Sequence, residues 1–161
     1  MKRKNGELQQ GDTAPDFELE DSNGNKIKLS DYRGQYIVLY FYPKDNTPGC
    51  TREACDFRDE IEEFSKLNAL ILGISFDPID SHKQFKAKFG LPFRLLSDID
   101  KFVAEKYEVF GEKKLYGRKL FGIIRSTFII DPEGIIVKIW KKVKLKGHIE
   151  EVLTDLKKLT E

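Results

Sequence analysis

The chain has 161 residues, of which 40% are hydrophobic and 34% are charged, and its formal net charge is +1 at pH 7. This length and composition predict one domain, residues 1–161, with a substantial apolar core. The near-zero net charge argues against nucleic-acid binding, and no apolar run approaches the roughly 18 residues of a membrane-spanning helix. Because no hydrophobic region follows the N-terminal residues, no export signal is recognised, and we expect a cytoplasmic protein.

The first part of the chain predicts a β-hairpin, a buried strand and a helix. Phe17–Glu20 and Lys26–Leu29 alternate in hydrophobicity on either side of a turn rich in Asn and Gly. Tyr36–Tyr42 is almost wholly apolar, which is typical of a central strand covered on both faces. Apolar residues then recur every three or four positions, which predicts a helix over residues 51–67.

The rest of the chain alternates strands with helices and ends in a β-β-α unit. The predicted elements are first a strand at Ala69–Phe76, a helix that stops at Gly90, a strand at Phe93–Leu96 and a short helix through Tyr107 that is capped by Ser97 or Asp98. An exposed loop is predicted next, at Phe110–Phe121. The last unit consists of strands at Ile123–Asp131 and Ile135–Val143, joined by a turn at Asp131–Gly134, and an amphipathic helix from Ile149 to Leu159. The last unit excludes a wholly parallel sheet, so we predict an α/β fold with a central mixed β-sheet flanked by helices.

The two cysteines of the chain, Cys50 and Cys55, follow the buried strand, and Cys50 lies where the first helix should begin. A thiol at a helix N-terminus meets unpaired backbone N–H groups and the positive end of the helix dipole, and both favour the thiolate. An ordinary thiol is only about 3% ionised at pH 7, so such an environment increases its reactivity greatly. Cys50 is therefore a candidate redox or covalent nucleophile.

Other interpretations of the cysteines and histidines are less favoured. A disulfide that encloses four residues stabilises a fold little, so a purely structural bridge between Cys50 and Cys55 fits poorly. Two inert, buried thiols are a further alternative, but Cys50 lies in a polar loop with Pro and Gly. The ligand pairs of a zinc site are absent from the sequence. We expect His82 to be solvated on a polar helix face and His148 to have a structural or capping role.

The pattern Pro43-x-x-x-Thr47-x-x-Cys50 resembles the active-site motif of the peroxiredoxins. The longer stretch Thr47–Arg58, which includes Cys55, resembles their bacterioferritin-comigratory-protein or Q-type subfamily. Three further segments match the same subfamily: Gly11–Phe17, Arg125–Asp131 and Val143–His148. The resemblance implies a thioredoxin-like fold and a thiol peroxidase that reduces hydrogen peroxide and organic hydroperoxides.

The resemblance also implies a role for each matched residue. Cys50 becomes a sulfenic acid, and Cys55 resolves it to an intramolecular disulfide that thioredoxin or a similar protein reduces. Thr47 gives a hydroxyl hydrogen bond to the thiolate and to peroxide, Arg125 supplies positive charge to sulfur and peroxide oxygen, and Pro43 shields the sulfenic acid. A monomer or weak dimer without a cofactor or metal is expected.

Two further positions complete the expected site. The backbone N–H groups of Gly49 and Cys50 should face the peroxide. Glu53, one helical turn after Cys50, either orients Arg125 or the loop, or is a plain first-turn acid that the helix dipole favours. Arg125 interrupts an apolar run, so it should face an anion, which is the thiolate or a nearby carboxylate.

Two other functions of the thioredoxin fold remain as alternatives. A dithiol–disulfide oxidoreductase of the thioredoxin type would use a C-x-x-C motif, and a proline would stand where this chain has Arg125–Thr127. A copper-carrying chaperone would pair C-x-x-x-C with a distant His, whereas the spacing from Cys50 to Cys55 is one residue longer. Both motifs differ from this chain, so we prefer the thiol peroxidase.

Overall fold

The computed structural model describes residues 7–161, with the backbone alone at Lys113 and Leu115. The strands are β1 (Glu18–Asp21), β2 (Lys26–Lys28), β3 (Tyr36–Phe41), β4 (Ala69–Ser75), β5 (Arg94–Ser97), β6 (Phe110–Leu115), β7 (Arg118–Ile123), β8 (Ser126–Ile130) and β9 (Ile136–Lys141). The helices are α1 (Pro48–Asp59), α2 (Ile61–Lys66), α3 (Ile79–Phe89), α4 (Phe102–Lys106) and α5 (His148–Thr160). In this part of the chain, no helix is long and apolar enough to cross a membrane.

Seven strands form one sheet in the order β2-β1-β5-β4-β3-β8-β9. β3, β4 and β5 are parallel neighbours, whereas the other pairs are antiparallel. The sheet is therefore mixed and carries the N-terminal hairpin β1–β2, as predicted. Because parallel strands end at the same edge of a sheet, the loops that follow β3, β4 and β5 lie at one edge, where ligands bind in open α/β sheets.

The central strand β3 supplies side chains to two apolar layers. Leu39 and Phe41 belong to a cluster that includes residues of α4 and the N-terminal hairpin. Val38 and Tyr40 belong to a second cluster, with Cys50 and residues of α3 and α5. Successive side chains of a strand point to opposite faces, so a strand covered on both faces is apolar throughout. Helix α1 thus packs on one defined face of the sheet.

The predicted helix over residues 51–67 is wrong in its bounds. α1 begins at Pro48, and Glu60, with φ −106° and ψ 11°, separates it from α2. Proline suits the first helical turn because the N–H group that it lacks would have no helical partner there. Phe57 of α1 and Phe64 of α2 pack into the same cluster. The apolar spacing therefore continues across the break and conceals it.

The exposed loop predicted at Phe110–Phe121 is also wrong, because β6 and β7 form a two-stranded hairpin there. Its turn residues, Tyr116 and Gly117, have φ values of +52° and +75°. Positive φ at both central residues is the conformation of a type I′ hairpin turn. The side chains of β7 are exposed from Arg118 to Phe121, so the segment lacks the buried alternation from which strands are predicted.

Two predicted connections are confirmed. The carboxylate of Asp98 accepts hydrogen bonds from the N–H groups of Val103 and Ala104 at 3.2 and 2.8 Å, which caps the start of α4. The turn from Asp131 to Gly134 joins β8 to β9, and the N–H of Gly134 donates to the carbonyl of Asp131 at 2.9 Å.

Candidate active site

The loop between β3 and α1 places Cys50 in the first turn of the helix, as predicted. Thr47 is the N-cap residue, and its carbonyl accepts the N–H of Thr51 at 2.8 Å. The N–H groups of Gly49 and Cys50 precede this bond, and no side chain in the described part of the chain caps the helix. These N–H groups and the helix dipole favour an anion. Because Cys50 is 1% exposed, water screens this field little.

Arg125 approaches Cys50 from the two-residue connection between β7 and β8. Its Nη2 donates to Cys50 Sγ at 3.3 Å, and its Nη1 donates to Glu53 Oε1 at 2.6 Å. Our sequence prediction placed Arg125 within a strand, but β8 begins one residue later. The Glu53 side chain is fully buried, and that of Arg125 is 16% exposed. The structure thus brings Glu53, whose role the sequence left open, into contact with Arg125.

Burial dominates the electrostatics of this ion pair. It raises the pKa of Glu53 to about 7, although Arg125 acts in the opposite direction. Burial lowers the pKa of Arg125, but the charges of Glu53 and Cys50 more than offset this and leave it raised. The guanidinium is therefore a permanent cation. Oε2 of Glu53 is buried and has no hydrogen-bond partner among the described residues, which adds to the cost of ionising this carboxyl.

Gly49 allows the guanidinium to approach the helix closely. A Cβ atom at this position would lie 3.2 Å from Nη2 of Arg125 and 3.4 Å from Cδ1 of Leu145. The N–H of Val143 donates to the carbonyl of Arg125 at 3.0 Å, so the segment after β9 holds the Arg125 backbone. Arg125 therefore lies between the start of α1 and the segment that leads to α5, in space that a larger residue would fill.

Thr47 and Pro43 lie in the loop before Cys50, but Thr47 is oriented differently from the prediction. Its hydroxyl donates to the carbonyl of Lys44 at 2.8 Å, rather than to the Cys50 sulfur. A hydroxyl has one hydrogen to donate and two lone pairs that accept. In this arrangement the Thr47 oxygen can accept a hydrogen from a peroxide. Pro43 is partly buried and follows β3 by two residues.

Cys55 lies on the same helix as Cys50, and both thiols are free. Five residues of α-helix correspond to a rise of about 7.5 Å and a rotation of about 140°. Cysteines so placed point to different faces, whereas a disulfide requires Cα atoms within about 7 Å of each other. The intact helix therefore keeps the two thiols apart.

The prediction that His82 is solvated is wrong. Its side chain is fully buried and contacts the carboxylate of Asp45. The helical spacing contained the signal, because His82 is three residues from Ile79 and from Phe85 and so shares their face of α3. Asp45 is also buried, but no pattern in the sequence indicates it, because it lies in a polar loop.

His148 has the structural role that the sequence predicts. Its Nε2 lies 2.8 Å from Oγ1 of Thr127 in β8, and the ring of Trp140 packs against it edge-on. Burial lowers the pKa of His148 to about 4, so the ring is neutral at pH 7. His148 therefore ties the first residue of α5 to the sheet.

Comparisons with known proteins show the family. Residues 10–139 match the AhpC/TSA family. Peroxiredoxin Bcp of Bacillus subtilis is 54% identical over 151 residues, which cover 94% of this chain and 96% of that protein. The chain belongs to this family, as a peroxiredoxin of the Bcp/PrxQ type. Peroxiredoxin Bcp of Escherichia coli is 43% identical over 150 residues, which cover 93% of this chain and 96% of that one.

Solved structures confirm the thioredoxin-like fold of this peroxiredoxin. A bacterioferritin comigratory protein from Xanthomonas campestris, studied for alkyl peroxide reduction, is 44% identical with a TM-score of 0.86 over 90% of this chain and 92% of that one. A cysteine-to-serine variant of PrxQ from Xylella fastidiosa is 43% identical with a TM-score of 0.90 over 96% and 98% of the two chains. The protein is therefore a thiol peroxidase, which decides against the dithiol oxidoreductase and the copper chaperone.

Proposed function

We propose that this peroxiredoxin reduces hydrogen peroxide and organic hydroperoxides with Cys50 as the nucleophile. The observation that carries this proposal is the contact of 3.3 Å between Nη2 of Arg125 and Sγ of Cys50, at the start of α1. A permanent cation and helix N–H groups at one sulfur stabilise the thiolate. The alkyl peroxide reduction studied in the Xanthomonas campestris relative supports organic hydroperoxides as substrates.

In the first step, the Cys50 thiolate attacks one peroxide oxygen, and an S–O bond forms as the O–O bond breaks. The sulfur is oxidised to a sulfenic acid, and the leaving oxygen takes up a proton to become water or an alcohol. Negative charge moves from sulfur to oxygen, so donors that face both atoms stabilise the transition state. Arg125 and the N–H groups of Gly49 and Cys50 are those donors. Thr47 accepts the hydrogen of the peroxide, and Pro43 adds an apolar wall.

In the second step, the thiol of Cys55 attacks the sulfenic sulfur, water leaves, and a disulfide joins Cys50 to Cys55. These are the two cysteines of the sequence, so the bridge forms within one chain. Thioredoxin or a similar dithiol protein then reduces the disulfide by thiol–disulfide exchange and returns both thiols. Because the intact helix separates the cysteines, the first turns of α1 must unwind before the bridge closes.

Intact-protein mass spectrometry after one molar equivalent of peroxide tests this function. The wild-type protein should lose about 2 Da as two thiols become a disulfide, and Cys55→Ser should gain about 16 Da as a sulfenic acid. Cys50→Ser should keep its mass and have no peroxidase activity. Substantial activity in Cys50→Ser would show that another group attacks the peroxide.

The enzyme is further proposed to act as a monomer, or at most a weak dimer, in a reducing cytoplasm. The bridge needs no second copy, and free thiols persist in such a compartment. Sedimentation velocity should therefore give a species near the chain mass of 18.7 kDa in both redox states. A stable decamer in either state would contradict this part of the proposal.

A further inference from the structure

A buried hydrogen-bond network anchors the loop that precedes Cys50. Asp45 lies in this loop and is 6% exposed, although its immediate neighbours are exposed. Its Oδ1 accepts the hydroxyl hydrogen of Tyr42 at 2.6 Å, and its N–H donates to Oδ2 of Asp77 at 2.7 Å. Asp45 thus joins the loop to the ends of β3 and β4.

The second carboxylate oxygen of Asp45 faces α3. Oδ2 lies 2.7 Å from Nδ1 of His82 and accepts the hydroxyl hydrogen of Ser81 at 2.8 Å. The other ring nitrogen of His82, Nε2, lies 3.0 Å from the carbonyl oxygen of Leu96 in β5. The His82 ring therefore bridges the loop before Cys50 and the central sheet.

Both ring nitrogens of His82 face atoms that accept hydrogen. The carbonyl of Leu96 has no hydrogen to donate. Burial raises the pKa of Tyr42 well above its usual range, so its hydroxyl keeps the hydrogen that it donates to the Asp45 carboxylate. A neutral imidazole has a hydrogen on one nitrogen, whereas an imidazolium has one on each. Nδ1 also lies 3.3 Å from the hydroxyl oxygen of Tyr42, whose hydrogen is directed to Asp45. Because Asp45 accepts the hydroxyl hydrogens of Tyr42 and Ser81, a hydrogen on Nδ1 of His82 is the one that completes its hydrogen bonds.

Asp45, Asp77 and His82 also place three possible metal ligand atoms within 4.8 Å of one another. The distances between these groups are nevertheless those of hydrogen bonds, with 2.7 Å both from His82 to Asp45 and from the Asp45 N–H to Asp77. The titratable groups that face the ring are Asp45 in the loop, Tyr42 after β3 and Asp77 after β4. The network is therefore a set of hydrogen bonds around the carboxylate of Asp45.

We propose that His82 is a positioning residue for the peroxide reaction, because its Nδ1–H group holds Asp45 and thereby the loop that ends at Thr47. The Thr47 hydroxyl donates to the carbonyl of Lys44 within this loop, so the position of its oxygen follows the position of the loop. The inference rests on the proposed function, because Thr47 contributes only if peroxide reacts at Cys50.

The first test measures the ring hydrogens of the wild-type protein by 15N NMR at pH 7. The chain has two histidines. His148, whose pKa is lowered to about 4, is the internal control for a neutral ring. His82 should carry a hydrogen on Nδ1, the nitrogen that faces Asp45, and His148 should have one protonated nitrogen. A bare Nδ1 on His82 would overturn the proposal, and this result does not depend on any peroxidase activity.

The second test compares two reactions of Cys50. His82→Leu removes the polar contacts of the ring with Asp45, Tyr42 and Leu96, and it should slow oxidation by peroxide ~10-fold or more. Alkylation of Cys50 by iodoacetamide needs no contact with Thr47, so its rate should change less than ~2-fold. His82→Asn keeps one hydrogen-bond donor towards Asp45, so its rate of oxidation by peroxide should lie between those of the wild type and His82→Leu. Lys83→Ala changes the exposed next position and is the matched control, so the rates of both of its reactions should equal those of the wild type. Equal loss of both reactions in His82→Leu would overturn the proposal.

A double-mutant cycle tests whether His82 acts through Thr47. When Thr47→Val has already removed the hydroxyl, His82→Leu should cost less than ~2-fold in the rate with peroxide. If His82→Leu does not fold, Ser81→Ala, which removes another hydrogen bond to Oδ2 of Asp45, takes its place with an expected loss of ~3-fold. If the rate losses of His82→Leu and Thr47→Val multiplied in the double variant, as those of independent residues do, the coupling between His82 and Thr47 would be refuted.

Discussion

Arg125 divides one guanidinium between two acidic groups, Glu53 through Nη1 and Cys50 through Nη2. This division depends on the rigid, planar arrangement of its nitrogens, because a lysine has one charged nitrogen on a flexible chain. We therefore propose that Glu53 positions Arg125. Its buried Oε1 atom accepts a hydrogen bond from one nitrogen of the guanidinium, so that the other points at the sulfur.

Gly49→Ala should disturb this arrangement without breaking the fold. The new methyl group would lie 3.2 Å from Nη2 of Arg125, the nitrogen that faces Cys50, so the guanidinium has to shift by a few tenths of an ångström. Displacements of about 1 Å in a catalytic group cost up to about 10²-fold in rate, so a shift of a few tenths of an ångström should slow oxidation by peroxide ~3-fold. Stopped-flow measurement of the second-order rate constant checks this.

Gly122→Ala is the matched control for this substitution. A Cβ at Gly122 has no neighbour within 4 Å among the described residues, so its rate should equal that of the wild type. If Gly49→Ala reacted as fast as Gly122→Ala, the close approach of Arg125 to α1 would have no role in the reaction.

Residues whose chemistry depends on their own segment were predictable from the sequence. The position of Cys50 at a helix start follows from a buried strand, a polar loop and a helical pattern. Arg125 was expected only as one possible partner of Glu53, and His82 was not expected as the partner of Asp45, because these residues lie 72 and 37 residues away in the chain. Periodicity indicates which face of an element is buried, but it does not indicate which side chain of another element lies opposite.

Among the elements, the strands of the main sheet were predicted with errors of up to three residues at their ends, whereas the helix predicted over residues 51–67 missed the break at Glu60. β3 and β4 each end one residue before the predicted strand. The hairpin β6–β7 was missed because it pairs outside the main sheet and exposes most of β7. Pattern analysis detects burial, so an element that buries little side-chain surface leaves a weak signal.

Helix α1 carries both cysteines, and its first turns have a specific link to the rest of the protein. Glu53 and Cys50 both contact Arg125, whereas Phe57 is fully buried in the apolar cluster beyond them. In the proposed reaction the Cys50 thiolate becomes a neutral sulfenic acid, and its attraction to Arg125 then weakens. We therefore expect oxidation to lower the cost of opening residues 50–55, while Phe57 keeps the later turns in place.

Hydrogen exchange should show this opening directly. In Cys50→Ser, which cannot form the disulfide, the amides of residues 51–56 should be protected by the intact helix. In the disulfide form the same amides should exchange faster, by ~10-fold or more, because the bridge cannot form on an intact helix. The amides of α3, which carries no cysteine, serve as the reference. Equal protection of residues 51–56 in both forms would show that Cys55 does not resolve the sulfenic acid.

Across the whole molecule, two buried groups that sense the charge of Arg125 make stability depend on pH in opposite directions. Burial raises the pKa of Glu53 from 4.5 to about 7. Between these values the folded protein keeps a proton that the unfolded chain releases. Stability that is present below pH 4.5 is therefore lost as the pH rises towards 7.

His148 acts with the opposite sign. Burial lowers its pKa from 6.5 to about 4, so between these values the unfolded chain binds a proton that the folded protein does not. Stability that is present above pH 6.5 is lost as the pH falls towards 4. The pH ranges over which Glu53 and His148 change stability overlap from pH 4.5 to 6.5. There, their opposite effects on the free energy of unfolding offset each other.

Replacing either Glu53 or His148 should therefore reveal the pH dependence of stability that the other residue causes. Relative to the wild type, the free energy of unfolding of Glu53→Gln should rise between pH 4.5 and 6.5 by on the order of 2 kcal/mol, and that of His148→Asn should fall by a similar amount. Urea unfolding at several pH values measures both changes, and comparison with the wild type cancels the titration of the other acidic groups. Parallel pH profiles for all three proteins would show that neither group changes its proton affinity on folding.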